Sequence, residues 1–137
     1  MVCPSKALEE RGTMTKRKAP AAALGVVREA AGRIREIEAE AGRLLHEAGD
    51  KAGYLRLMTE KCLVLEGLPD EADEVLKGNA VDGSGALLSG LEDFARRAAL
   101  ALQLESPFFM SALLYPEDYR DGDPNDLERF IDRFEAA

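Results

Sequence analysis

Between Leu24 and Ala48, apolar residues recur at Leu24, Val27, Ala31, Ile34, Ile37, Ala41, Leu44 and Ala48, always three or four apart. That spacing follows the 3.6-residue turn of an α-helix and puts every one of these side chains on a single stripe. Only Gly25, Gly32 and Gly42 interrupt the run, and glycine weakens a helix by about 1 kcal/mol without ending it. Pro20 stands where a first helical turn tolerates it, since the N–H it lacks would have no partner there. The segment predicts one helix of about 28 residues, on the order of 40 Å long. Glu29 with Arg33 and Arg43 with Glu47 are expected i,i+4 pairs on its polar side.

Gly49-Asp50 ends this helix and opens the next, with glycine past a C-terminus and aspartate as N-cap. The second helix is expected to reach about Glu66 on the stripe Tyr54, Leu55, Met58, Cys62 and Leu65. So short a connection between two periodic segments means an antiparallel hairpin. Gly67-Leu68-Pro69-Asp70 is read as a break, followed by a short helix from Glu71 to Lys77 that stops at Gly78-Asn79. Residues 79–85 form the clearest loop, and Ser84 is expected to cap a helix reaching about Leu104.

The stripe of that helix is Leu87, Leu88, Leu91, Phe94, Ala95, Ala98, Ala101 and Leu102. Beyond Arg97 it is apolar almost all round, which predicts burial on several sides and a central place in the fold. Ser106-Pro107 starts a short helix over Phe108 to about Leu114, closed by Pro116. Asp123-Pro124 is expected to cap a last helix whose inner face is Leu127, Phe130, Ile131 and Phe134. The fold class is all-α: a small bundle of about four main helices built on the long hairpin, with short helices added. Residues 1–18 read as a flexible basic tail, and residues 19–137 as a single helical domain.

Charge narrows the partners. The 137-residue chain carries 26 acids against 18 lysines and arginines, a net −8. The tail concentrates Lys6, Arg11, Lys16, Arg17 and Lys18 against Glu9 and Glu10, so the remainder is more acidic still. Such a surface is not expected to bind nucleic acid, which needs clustered cations. The longest wholly apolar run, Ala98–Leu102, is far too short to span a bilayer, so no membrane association is expected. Two cysteines, Cys3 and Cys62, without metal-like spacing fit a reducing, cytoplasmic setting.

Chemistry-bearing patterns are sparse. His46 is the only histidine; it falls in the last turn of the first helix, where the helix dipole favours a cation, and no zinc set surrounds it. Asp121, Asp123 and Asn125 match the first three ligand positions of a calcium loop. Asp126 then stands where the loop needs glycine, and Asp132 where it needs a bidentate glutamate. Asp82-Gly83-Ser84-Gly85 has neither the preceding strand nor the lysine of a phosphate loop. Cys62 lies on a core stripe and reads as a small hydrophobe. No cofactor is expected.

The remaining candidates are helix-borne acids and aromatic residues. Glu36 and Glu40 are four apart, Glu71 and Glu74 three apart, and Glu92 and Asp93 adjacent on the helix read as buried. This spacing resembles that of all-helical nucleotide pyrophosphohydrolases, which hold magnesium on paired helical carboxylates. The resemblance implies a metal site at Glu36, Glu40, Glu92 and Asp93. Separately, Leu44-Leu45, Asp50, Leu55, Lys61 and Leu65 make the hairpin loosely similar to helical export chaperones of bacterial secretion systems. The C-terminal third does not follow that pattern, and no site residues carry over.

Six of the eight aromatics fall between Ser106 and Phe134. Phe108, Phe109, Phe130 and Phe134 suit a core, whereas Tyr115 and Tyr119 flank an acidic turn and carry hydroxyls that need partners. Tyr115, Glu117, Asp118, Tyr119, Asp121 and Asp123 are therefore the expected partner surface. The leading expectation is a non-catalytic helical module that binds a protein partner or associates with itself, of adaptor, chaperone or regulatory type. The metal-dependent hydrolase is the alternative.

Overall fold

The computed structural model describes residues 21–76 and 84–136. The expected basic tail, Cys3, the Pro20 start, the Gly78-Asn79 stop and the capping side chain of Ser84 lie outside what is described. Five helices follow in order: α1 (Ala21–His46), α2 (Lys51–Leu76), α3 (Ser84–Leu104), α4 (Pro107–Ala112) and α5 (Asp126–Ala136). No strand occurs among the described residues, so the chain is an all-α bundle, as its periodicity predicts.

The hairpin forms where expected. Its corner turns on Gly49 at φ 64°, a left-handed conformation that glycine enters without steric cost. The Asp50 N–H reaches back to the Leu44 carbonyl at 2.8 Å, while Asp50 Oδ1 accepts from the Gly53 N–H at 2.8 Å and caps α2. Gly53 is buried; a methyl there would overlap Asp50 Oδ2 and stand 2.9 Å from Leu44 Cδ1. Any larger residue at this point would have to displace the Asp50 cap and the Leu44 side chain. The expected pairs within α1 are exchanged for others: Arg33 pairs with Glu60 across the hairpin, and Arg43 with Glu40.

The expected break at Gly67–Asp70 does not occur. Helix α2 runs unbroken to Leu76 with Pro69 inside it, so no separate short helix precedes residue 77. An interior proline costs about 3 kcal/mol through its missing hydrogen bond and its ring clash. Against that, Leu65, Leu68, Ala72 and Leu76 keep one stripe, all buried. Burying a leucine contributes roughly 2 kcal/mol, so three outweigh one proline. Tertiary burial overrides the local signal.

Helix α2 is the centre of the bundle, in contact with α1, α3 and α4, while α5 lies on α1 and α4 on α3. The second half of α3 is not enclosed as expected. Ala98 and Ala101 are buried, but Leu100 and Leu104 are 54% and 53% exposed, because the bundle covers that end from one side only. Helix α5 docks by its expected face, with Leu127, Phe130 and Ile131 buried. Phe130 packs edge-on against Phe94 at 5.5 Å and near Phe134 at 5.0 Å. Its ring fits over Gly90 of α3, where a Cβ would overlap Cε1 and stand 2.6 Å from Cζ.

Candidate functional site

Two features stand out around α4: a polar network on one side and an apolar groove on the other. The network begins with two polar residues at core positions of the hairpin. Lys61 continues the spacing of Met58 and Leu65 on α2, and Glu38 that of Ile34 and Ala41 on α1, so each points its side chain toward the other helix. The Lys61 side chain is wholly buried, with Nζ 2.9 Å from Glu38 Oε2. Lys61 Nζ also donates to the Leu113 carbonyl at 3.0 Å and the Ser111 carbonyl at 3.4 Å. Those carbonyls are at the end of α4, where a helix leaves acceptors without internal partners.

Tyr115 closes this cluster. Its ring lies 5.3 Å from the Lys61 ammonium, and its hydroxyl donates to Glu38 Oε1. Burial holds the Lys61 pKa below the ordinary lysine value, and the Glu38 carboxylate only partly offsets it. Burial likewise pushes the Tyr115 phenol up, reinforced by the carboxylate it donates to. Both effects disfavour the charged form of a group removed from water.

Arg35, one turn before Glu38, ties in the chain after α4. Its Nε and Nη2 grip Glu128 of α5 at 3.1 and 2.8 Å, the forked geometry that suits guanidinium to carboxylate. Nη1 and Nη2 reach the Tyr115 and Tyr119 hydroxyls at 3.3 Å, and Nη2 the Asp123 carbonyl at 3.2 Å. The Glu128 hydrogen bond raises the Arg35 pKa and in return holds Glu128 below the usual carboxylate range. Tyr119 donates to the Asp123 carbonyl at 2.7 Å.

The cap of α5 differs from the expected one. Asn125, not Asp123, is the N-cap: its Oδ1 accepts from Glu128 N–H at 2.9 Å, and Glu128 Oε1 accepts from Asn125 N–H at 2.8 Å. This reciprocal pair satisfies two donors at once. Asp123 instead accepts from the Arg120 N–H at 3.1 Å and braces the preceding turn. An open cleft of about 670 Å³ runs beside the network, past Arg35, Glu38, His46, Lys61 and Tyr119. Its ammonium already has three oxygen partners, and its guanidinium is gripped by Glu128. The arrangement fastens residues 113–128 to the hairpin.

The expected partner surface divides accordingly. Tyr115 and Tyr119 are half-buried with hydroxyls turned inward, and Asp123 is half-buried in its turn; Glu117, Asp118 and Asp121 are exposed. The acids proposed for a metal are not gathered. Glu36, Glu40, Glu92 and Asp93 are all exposed, Glu40 pairs with Arg43, and Asp93 pairs with Arg96 and Arg97. Among the described residues no three histidine, cysteine or acidic side chains group as metal ligands would.

On the other side of α4 lies a groove of about 440 Å³. Leu100, Ala101 and Leu104 of α3 form one wall; Phe109 and Ala112 of α4 form the other with Leu113 just past its end, and Pro116 lies beyond. The chain turns between the walls at Glu105, held at φ 52°, and at Ser106, whose hydroxyl caps α4 by accepting from the Phe109 N–H at 3.2 Å. That sharp corner splays α4 away from α3 and opens the groove. Phe109 is 51% exposed, and Phe108, edge-on to it at 5.6 Å, is 73% exposed. Arg97 at the rim lies 3.4 Å from Asp93 and 3.9 Å from Asp126.

Sequence reasoning passed over Glu38 and Lys61. The available signal was a charged residue at a core slot on each of two neighbouring helices. It also placed Leu100 and Leu104 in a core and not on a groove wall. Comparison with protein-family models, curated proteins and solved structures finds no significant match to this chain.

Proposed function

We propose that this protein is a non-catalytic docking module that receives an apolar segment of another protein in the groove between α3 and α4. One observation carries the reading: Leu100, Leu104 and Phe109, all more than half exposed, line a single groove, with Phe108 against its edge. A contiguous patch of large apolar side chains marks an interaction surface, whereas scattered single ones do not. Aromatic anchors in a groove are also where binding energy concentrates. Leu100 and Leu104 on one wall, Phe109, Ala112 and Leu113 on the other, present the i,i+3,i+4 ridges between which a third helix packs. The network on the far side of α4 fixes the chain after that helix, so the groove is formed before binding and less ordering entropy is lost.

The test compares proteins retained from a cell extract by the full chain and by Leu104→Glu and Phe109→Glu chains of unchanged melting temperature. A partner retained by the parent chain and lost by both variants supports the reading. An identical retained set for all three would sink it.

A further inference from the structure

Building on the docking reading, we infer that the groove selects an amphipathic helix whose apolar face is flanked by lysines and arginines. The residues that adjoin the groove in the chain are acidic. Glu105 stands at the corner between the walls, and Glu117 and Asp118 follow Pro116 of the groove; all three are exposed. None of the three has a side-chain hydrogen bond or ion-pair partner among the described residues. Asp126 also lines the groove, and Arg97, its one lining cation, is matched by Asp93 and Asp126. An apolar floor with unmatched acids at its border complements a helix with apolar residues on one face and cations beside them. The net charge of −8 acts in the same direction, drawing cationic segments toward the molecule at long range.

The same border argues against a second copy as occupant. A two-fold interface sets a patch against itself, so the acidic border with Glu105, Glu117 and Asp118 would face the same acidic border of the other copy. Like charges so placed work against such a pairing.

The experiment uses two fluorescent synthetic helical peptides with the same leucines at i, i+3, i+4 and i+7. One has lysine and arginine flanks, the other glutamate flanks. Fluorescence anisotropy with the full chain is read at about 50 mM and about 500 mM salt. The inference expects the basic peptide to bind at least about tenfold tighter at low salt, with the gap shrinking at high salt as screening grows. It also expects Glu105→Lys with Glu117→Lys to erase the preference, and Leu104→Glu to abolish binding of both peptides.

Equal binding of the two peptides, lost in Leu104→Glu, would overturn the charge selection and leave the groove reading intact. Binding by neither peptide, or binding unaffected by Leu104→Glu, would overturn the groove reading itself. A dimer in light scattering that Leu104→Glu dissociates would name the second copy as occupant and overturn the inference.

Discussion

Lys61 of α2 and Glu38 of α1 form an ion pair at 2.9 Å, with the lysine side chain wholly enclosed and the glutamate only 17% exposed. Removing one member of such a pair leaves a charge without its partner, whereas replacing both can be close to neutral. Lys61→Met should therefore cost about 3 kcal/mol, since the Glu38 carboxylate and the Ser111 and Leu113 carbonyls all lose their donor. Lys61→Met combined with Glu38→Leu should cost clearly less than the two single changes added together. Urea unfolding of the four chains measures this coupling, and strict additivity would mean that the pair does not act as a unit.

Arg35 and Glu128 make the second bond between hairpin and C-terminal segment, and its pH dependence has a definite sign. Glu128 is held below the ordinary carboxylate value chiefly by the Arg35 hydrogen bond. The unfolded chain therefore takes up this proton at higher pH than the folded one. The stabilisation is complete above the ordinary carboxylate value and is lost as pH falls through the folded one. Urea melts of Glu128→Gln and the parent chain should differ by about 1 kcal/mol at neutral pH and converge below about pH 4. A constant gap across the range would show that the ionised carboxylate is not what matters.

Cys62 lies on the hairpin's core stripe with no exposure, and burial pushes its thiol from 9.0 up to about 11. In a Cys3→Ser chain at pH 8, its reaction with an aromatic disulfide reagent should be at least about 100-fold slower than in the urea-unfolded chain. That factor comes from the smaller thiolate fraction alone. The linked stability has the opposite pH sense to that of Glu128. The folded thiol keeps a proton that the unfolded one releases, so stability is lost as pH rises from about 9 through about 11. Rapid labelling under native conditions would contradict the burial.

Two helical glycines should respond to alanine in opposite directions. At Gly32 of α1 an added methyl meets nothing within 4 Å, so Gly32→Ala should stabilise by up to about 1 kcal/mol through helix propensity. At Gly90 the methyl overlaps the Phe130 ring, which is itself held between Phe94 and Phe134. Gly90→Ala should therefore destabilise by about 1–3 kcal/mol, the usual range for overpacking. Thermal melts of the two variants decide it, and a stabilised Gly90→Ala chain would mean that α5 can shift off α3 without loss.

What could be read along the chain was whatever a helix records in its own period. The stripe from Leu24 to Ala41, the Gly49-Asp50 corner, the Ser106-Pro107 start of α4 and the inner face of α5 each depend on residues within a turn or two of one another. Propensity, capping and amphipathic spacing act at that range, and there the reading and the structure agree. Even within it, the Asn125–Glu128 cap could have been found from the spacing of asparagine and glutamate, but Asp123-Pro124 offered a competing start two residues earlier.

The tertiary structure decided the rest because those outcomes depend on residues far apart in the chain. Pro69 looks like a break until the burial of Leu65, Leu68, Ala72 and Leu76 is weighed against it. Glu38 and Lys61 are each ordinary polar residues until the hairpin faces them toward one another. Leu100 and Leu104 match a core in composition, and only the position of the neighbouring helices leaves them open to solvent. A periodic pattern determines which face of a helix is apolar; it does not determine whether the fold supplies enough partner surface to cover that face. At α3 and α4 it does not, and the candidate site is the apolar surface left uncovered.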